Sequence, residues 1–192
     1  MVIDVQKILN YFSYNSVVIL SFFFICLAVY ILNNITHGKS NRRIFSSERD
    51  HLLNPLTYIR LVTHIFGHEN WEHFMSNFMY ILLIGPMIEE KYGSINLIKM
   101  IAVTAIITGL VNMIFSKNKR ILGSSGIAFM LIILSSFVNM KAGKIPVTLV
   151  LIFFCYIMTE LKAGLFGRKD NISHISHLIG AICGGIYGFY IF

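Results

Sequence analysis

A chain of 192 residues that is 56% hydrophobic and only 13% charged is too apolar for an ordinary soluble domain of its length. Its net charge of +7 is spread over several loops without a stripe of interleaved aromatics, so it argues for basic residues meeting lipid headgroups and against nucleic acid. Cys26, Cys155 and Cys183 all fall within apolar segments and lack paired metal spacing, so reduced, buried thiols are expected, with no disulfide framework, no metal and no cofactor.

Six long runs carry no charge: 8–36, 73–88, 100–116, 121–140, 145–159 and 171–192. With flanking charges reaching the interfaces, they predict membrane spans at 11–32, 71–91, 97–116, 121–140, 144–162 and 171–192, close to the length a crossing helix needs. The fold class expected is all-α: a polytopic membrane protein in which residues 1–192 form one compact six-helix bundle, both termini on one side. The first apolar run is too long for a cleavable signal and lacks a basic leader.

In chain order, the first long connection is 33–70, and a loop of that length is functional or disordered. Its second half is apolar with Tyr58, Arg60 and His64 embedded. It reads as an interfacial segment, Arg60 facing the headgroups and Tyr58 in the aromatic belt. Span two opens with His73 and Asn77, four apart on one helical face. It closes with Glu89-Glu90-Lys91, an interfacial anchor. Span four opens with Gly123-Ser124-Ser125-Gly126, and Phe129 follows one turn after Ser125. Span six opens with His174 and His177, beside a stripe of Ser176, Gly180, Gly184 and Gly188 that lets a neighbouring helix approach closely.

Spans two, four and six enter from the same face, so these polar residues gather in the first turns on one side. From the rise per residue, Ser125 and His177 differ in depth by about 3 Å. Polar groups at matched depth in hydrocarbon point to a site inside the bilayer. Serine hydrolysis needs a nucleophile, a base and oxyanion donors. Ser125 fits the nucleophile, with small neighbours that admit a substrate backbone. His177 fits the base, with Phe129 placed to stack on its ring, and His73 or Asn77 could donate to an oxyanion. The aspartates are Asp4, Asp50 and Asp170, none within a span, so a Ser–His dyad is expected rather than a triad. Water would reach these groups through a depression lined by His73, Asn77, Ser124 and His174. Ser124 itself reads as a packing residue and His174 as a helix–helix hydrogen bond. His68 and His73 are five apart and fail the four-residue spacing of a zincin. For His64, His68 and His73, hydrogen bonds that organise the loop are preferred over a metal.

His73-x-x-x-Asn77, Gly123-x-Ser125-Gly126 and His177-x-x-Gly180-x-x-x-Gly184 occur in that order on alternating spans. Together they resemble the rhomboid family of intramembrane serine proteases, in its bacterial six-span type. The resemblance implies Ser125 as nucleophile and His177 as general base. It implies an oxyanion hole of His73, Asn77 and the Ser125 amide, beside Gly123. It also implies a membrane-embedded first loop containing Arg60, His64 and His68, single-span membrane proteins as substrates, and residence in a bacterial inner membrane. Ile59 stands where the family usually has Trp, Phe129 where it has Tyr, and Ser176 where it has Ala. Most Lys and Arg fall in loops on the side of the site, so the positive-inside rule points that face toward the cytoplasm, opposite to the family's usual topology. Two other classes share the composition: a silent rhomboid-like binder of membrane helices, and a small channel or transporter. The first would lack the serine or histidine, and the second needs charges or broken helices at the midplane.

Overall fold

The computed structural model describes residues 13–51, 53–115, 120–140, 144–158 and 171–190. Among them the chain is helical and no strand forms. Helix α1 spans Val17–Ile35 and buries Ile19, Phe22, Cys26, Val29 and Asn33. The first loop carries α2 (Lys39–Arg43), α3 (Pro55–Thr63) and a 3-10 turn at His64–Phe66. Helix α3 starts on a local signal: Asn54 accepts from the Leu56 amide, with Pro55 in the first turn. Helix α4 (Trp71–Tyr92) is likewise capped, the Asn70 side chain accepting from the His73 amide at 2.8 Å. Gly93 takes a φ of +82° and turns the chain into α5 (Ser94–Phe115). Then come α6 (Ser125–Ser135), α7 (Val147–Ile152) with a π-helical turn at Phe153–Ile157, and α8 (Asn171–Tyr190).

Helix α6 is the axis of the bundle. It is apolar all round, and such helices are buried; Ile127, Met130, Leu131 and Leu134 are all nearly inaccessible. Helix α8 lies directly on it through glycines. A Cβ at Gly180 would strike the Gly126 carbonyl, one at Gly184 the Met130 carbonyl, and one at Gly188 the Phe137 ring. This is the close approach that the small-residue stripe predicts.

Helices α1 and α5 are long and apolar enough to cross a bilayer. The expected span 121–140 is α-helical only over Ser125–Ser135, about 16 Å at the helical rise. Before it, Ile121 is tied to Ser47 by an isolated bridge, and Gly123 and Ser124 form a bend. The expected span 11–32 begins helically only at Val17 and runs on to Ile35. Residues 11–12, 116, 159–162 and 191–192 of the expected spans lie outside the described residues.

Three expectations are corrected by packing. Arg60 does not face headgroups: it is buried, its Nε donates to the Arg43 carbonyl at 2.9 Å, and a guanidinium nitrogen lies 3.1 Å from an Asp50 carboxylate oxygen. Cys155 is exposed, while Cys26 and Cys183 are buried, because the π-helical turn that carries Cys155 lies at the surface with Phe153, Phe154 and Tyr156. Glu89 is no interfacial anchor. Its carboxylate is buried and accepts from the Val18 amide at 3.0 Å, the Ile19 amide at 3.2 Å, the Ser16 hydroxyl and the Ser94 hydroxyl. It caps the orphan amides at the start of α1 from a distant helix. Replacing Glu89 with Ala should therefore destabilise the fold by about 1.5–3 kcal/mol, the range for hydrogen bonds to a charged group. Thermal unfolding in detergent measures this, and a midpoint equal to that of Glu90→Ala would remove the cap.

Candidate active site

The site forms where α6 begins. Gly123 sits at φ +119°, a conformation that L side chains rarely adopt. A Cβ there would lie 2.7 Å from His73 Cε1, 2.8 Å from His73 Nε2 and 3.8 Å from Asn77 Nδ2. His73 and Asn77, one turn apart on α4, therefore converge over the Gly123 backbone. Asn77 is buried and its Nδ2 has no hydrogen-bond partner among the described residues. A buried amide donor without a partner, beside the amides of a helix start, leaves donors that an acceptor oxygen can take.

Ser125 is the first residue of α6 and is half-buried. Phe129 follows four residues later on the same helical face. Its ring is stacked on His177, centroids 4.3 Å apart and planes 7° from parallel. His174 meets His177 edge-on at 6.3 Å. His73 and His177 are near enough to feel each other's charge. A Cβ at Gly126 would come within 3.3 Å of the Ser176 carbonyl, so the first turns of α6 and α8 touch. The structure thus gathers His73, Asn77 and Gly123 in one group and Phe129 and His177 in another, with Ser125 in the first turn of the helix that carries both.

The first loop clamps this start of α6, a feature the sequence reading missed. Ser47 and Ile121 exchange two backbone hydrogen bonds of 2.8 Å. Arg120 grips the Glu48 carboxylate through Nε and one terminal nitrogen at 2.8–3.1 Å, a bidentate geometry. The Gly123 amide donates to the His64 carbonyl at 2.9 Å. His68 Nε2 lies 3.1 Å from the Ser124 hydroxyl, and Asn41 Nδ2 donates to the His68 carbonyl at 2.9 Å. Ser124 is fully buried, so it cannot line a water path as expected. His64 and His68 organise the loop through hydrogen bonds, His64 also meeting Arg60 and Thr108. Apart from His64 and Arg60, which are one helical turn apart, no local pattern announces these pairs, since the partners are tens of residues apart.

Burial pushes the His64 imidazole down to about 4. Burial, together with the charge of His73, pushes His68 down to about 3. Both rings fold neutral, against 6.5 in the unfolded chain. Their contribution to stability is whole above pH 6.5 and is lost as the pH falls toward those folded values. Trp71, the one tryptophan, stacks on Phe74, which itself packs against His68. Its fluorescence should therefore report acid loosening of the loop below pH 6.5, and His68→Gln should lessen it. Identical acid profiles in wild type and His68→Gln would exclude His68 as a source.

A sequence profile of the Rhomboid domain family matches residues 55–192. The chain is 29% identical over 140 residues to "Rhomboid-like protein 11, chloroplastic" of Arabidopsis thaliana, covering 66% of this chain and 50% of that one. It is 30% identical over 135 residues to "Rhomboid protease GlpG" of Haemophilus influenzae, covering 68% of each. It is 26% identical over 172 residues to "Rhomboid protease GlpG" of Yersinia pestis, covering 89% of this chain and 61% of that one. The matches span between half and about two thirds of these relatives' lengths. Apolar helices of membrane-crossing length and a polar cluster at one end of the central helix fit a membrane-embedded class of protein. Within that class, this chain belongs to the rhomboid family.

Proposed function

We propose that this protein is an intramembrane serine endopeptidase that cleaves single-span membrane proteins within the bilayer. Ser125 Oγ attacks the scissile carbonyl and gives its proton to His177. The carbonyl oxygen becomes an oxyanion, held by Asn77 Nδ2, His73 and the Ser125 amide beside Gly123. His177 then protonates the leaving amine, and water hydrolyses the ester left on Ser125 by the reverse proton traffic. Phe129 fixes the plane of the imidazole in the role an acidic third member would otherwise fill. Six crossings, 11–32 through 171–192, would place this cluster near one face of a bacterial inner membrane.

One observation carries the reading. A buried amide donor without a partner and a histidine converge on a glycine at positive φ, immediately before a serine that starts a helix. A helix-binding protein without catalysis has no need of an anion pocket at that point. The test is a single-span reporter in proteoliposomes with the purified protein: one cut inside the span is expected, and an intact reporter together with an unlabelled Ser125 would sink the proposal. Asn77→Ala should slow cleavage by about 10- to 1,000-fold, as for other single oxyanion donors, while Ser125 still takes a fluorophosphonate. Unchanged turnover would return Asn77 to a packing role.

A further inference from the structure

We infer that Ser124 is a positioning residue for this reaction: its hydroxyl is committed to His68, which leaves the start of α6 uncapped and its amides open to the oxyanion. The inference rests on the protease reading above. Serine at the residue before a helix normally turns its oxygen onto an amide of the first turn. Asn54 and Asn70 do so for α3 and α4 in this same chain. Ser124 occupies that position before α6 and makes no such bond.

The direction of the His68 bond follows from its neighbours. His68 Nδ1 lies 3.3 Å from the Phe66 carbonyl, which can only accept, so Nδ1 carries the proton. Nε2 is then the acceptor, and the Ser124 O–H donates to it at 3.1 Å. Both residues are fully buried, so no water competes. Phe74 and Phe78 flank the ring, with centroids at 5.2 and 5.8 Å, and fix its place. The Gly123 amide is tied to the His64 carbonyl at 2.9 Å, and the Ser124 carbonyl accepts from the Ala128 amide, also at 2.9 Å. The bend from Gly123 to Ser125 is therefore held from both sides. Ser124 sits at ψ 13°, outside the extended conformation that Asn54 and Asn70 take, so the bond to His68 also holds the backbone away from a capping geometry. Were the hydroxyl released, the residue could relax into that geometry and set an acceptor oxygen where the oxyanion must sit.

The experiment compares a peptide aldehyde with the alcohol of the same sequence. Ser125 adds to the aldehyde carbonyl and creates an oxyanion-like hemiacetal, whereas the alcohol binds without forming a bond. Wild type should favour the aldehyde by about 100-fold or more, as transition-state analogues are favoured over ground-state ligands. Ser124→Ala and His68→Ala should each cut that preference and kcat by roughly 10- to 100-fold, the scale of a small misplacement of catalytic groups, with KM within about twofold. In His68→Gln, whose carbonyl oxygen can accept the Ser124 hydroxyl, most of the preference should return. Full preference in Ser124→Ala overturns the inference. So does an equal loss of affinity for aldehyde and alcohol, which marks a general loosening. A wild type with no preference overturns the protease reading itself.

Discussion

Ser125→Ala is expected to lower cleavage of a single-span reporter by about 10⁴-fold or more, the scale for removing a nucleophile that works with a base. His177→Ala should be as inactive, because neither residue does much without the other. Both proteins should fold, since Ser125 is small and half-buried and His177 leaves Phe129 its edge contact with Tyr156. A fluorophosphonate should label wild type at Ser125 and leave the His177→Ala protein unlabelled. His174, which meets His177 edge-on at 6.3 Å and does not share the stack on Phe129, should tolerate Ala with substantial turnover. Activity that survives Ser125→Ala but vanishes in Ser124→Ala would move the nucleophile by one residue and end the positioning role given to Ser124. Activity that survives both would exclude serine catalysis altogether.

Gly180→Ala should remove activity nearly as completely, by a different route. The added Cβ would strike the Gly126 carbonyl, which is backbone and cannot swing aside. Helix α8 would have to withdraw from α6 at the level of the site, carrying His177 away from Ser125. Overpacking of this kind destabilises by about 1–3 kcal/mol, and a displacement near 1 Å suffices for roughly a 100-fold loss of rate. Gly185→Ala is the control on the same helix, because nothing lies within 4 Å of its Cβ. The measurements are kcat and the thermal midpoint in one detergent. If Gly180→Ala matched Gly185→Ala in both, close contact of the two helices would be irrelevant to the chemistry.

The parts of this site that sequence made legible are those carried by local spacing. Four-residue steps put His73 beside Asn77, Ser125 beside Phe129, and Gly180, Gly184 and Gly188 along one face. The apolar runs put these groups at one end of their helices. Gly123 was readable only as a small residue near the serine, because the groups that meet it, the His64 carbonyl and the His73 ring, are both remote in sequence.

By itself the sequence determined that the chain is built of apolar helices and that polar residues sit near the starts of α4, α6 and α8. Helix periodicity and transfer into hydrocarbon are properties of a short stretch of chain. Tertiary structure decided where the buried polar groups find partners. Glu89 caps α1 from 71 residues away, Ser124 meets His68 across 56, and Arg120 reaches Glu48 across 72. Arg60 turned inward to the Arg43 carbonyl and Asp50 for the same reason. A buried donor or charge must be paired, but which group pairs it depends on how the helices cross, and no local pattern of residues encodes that.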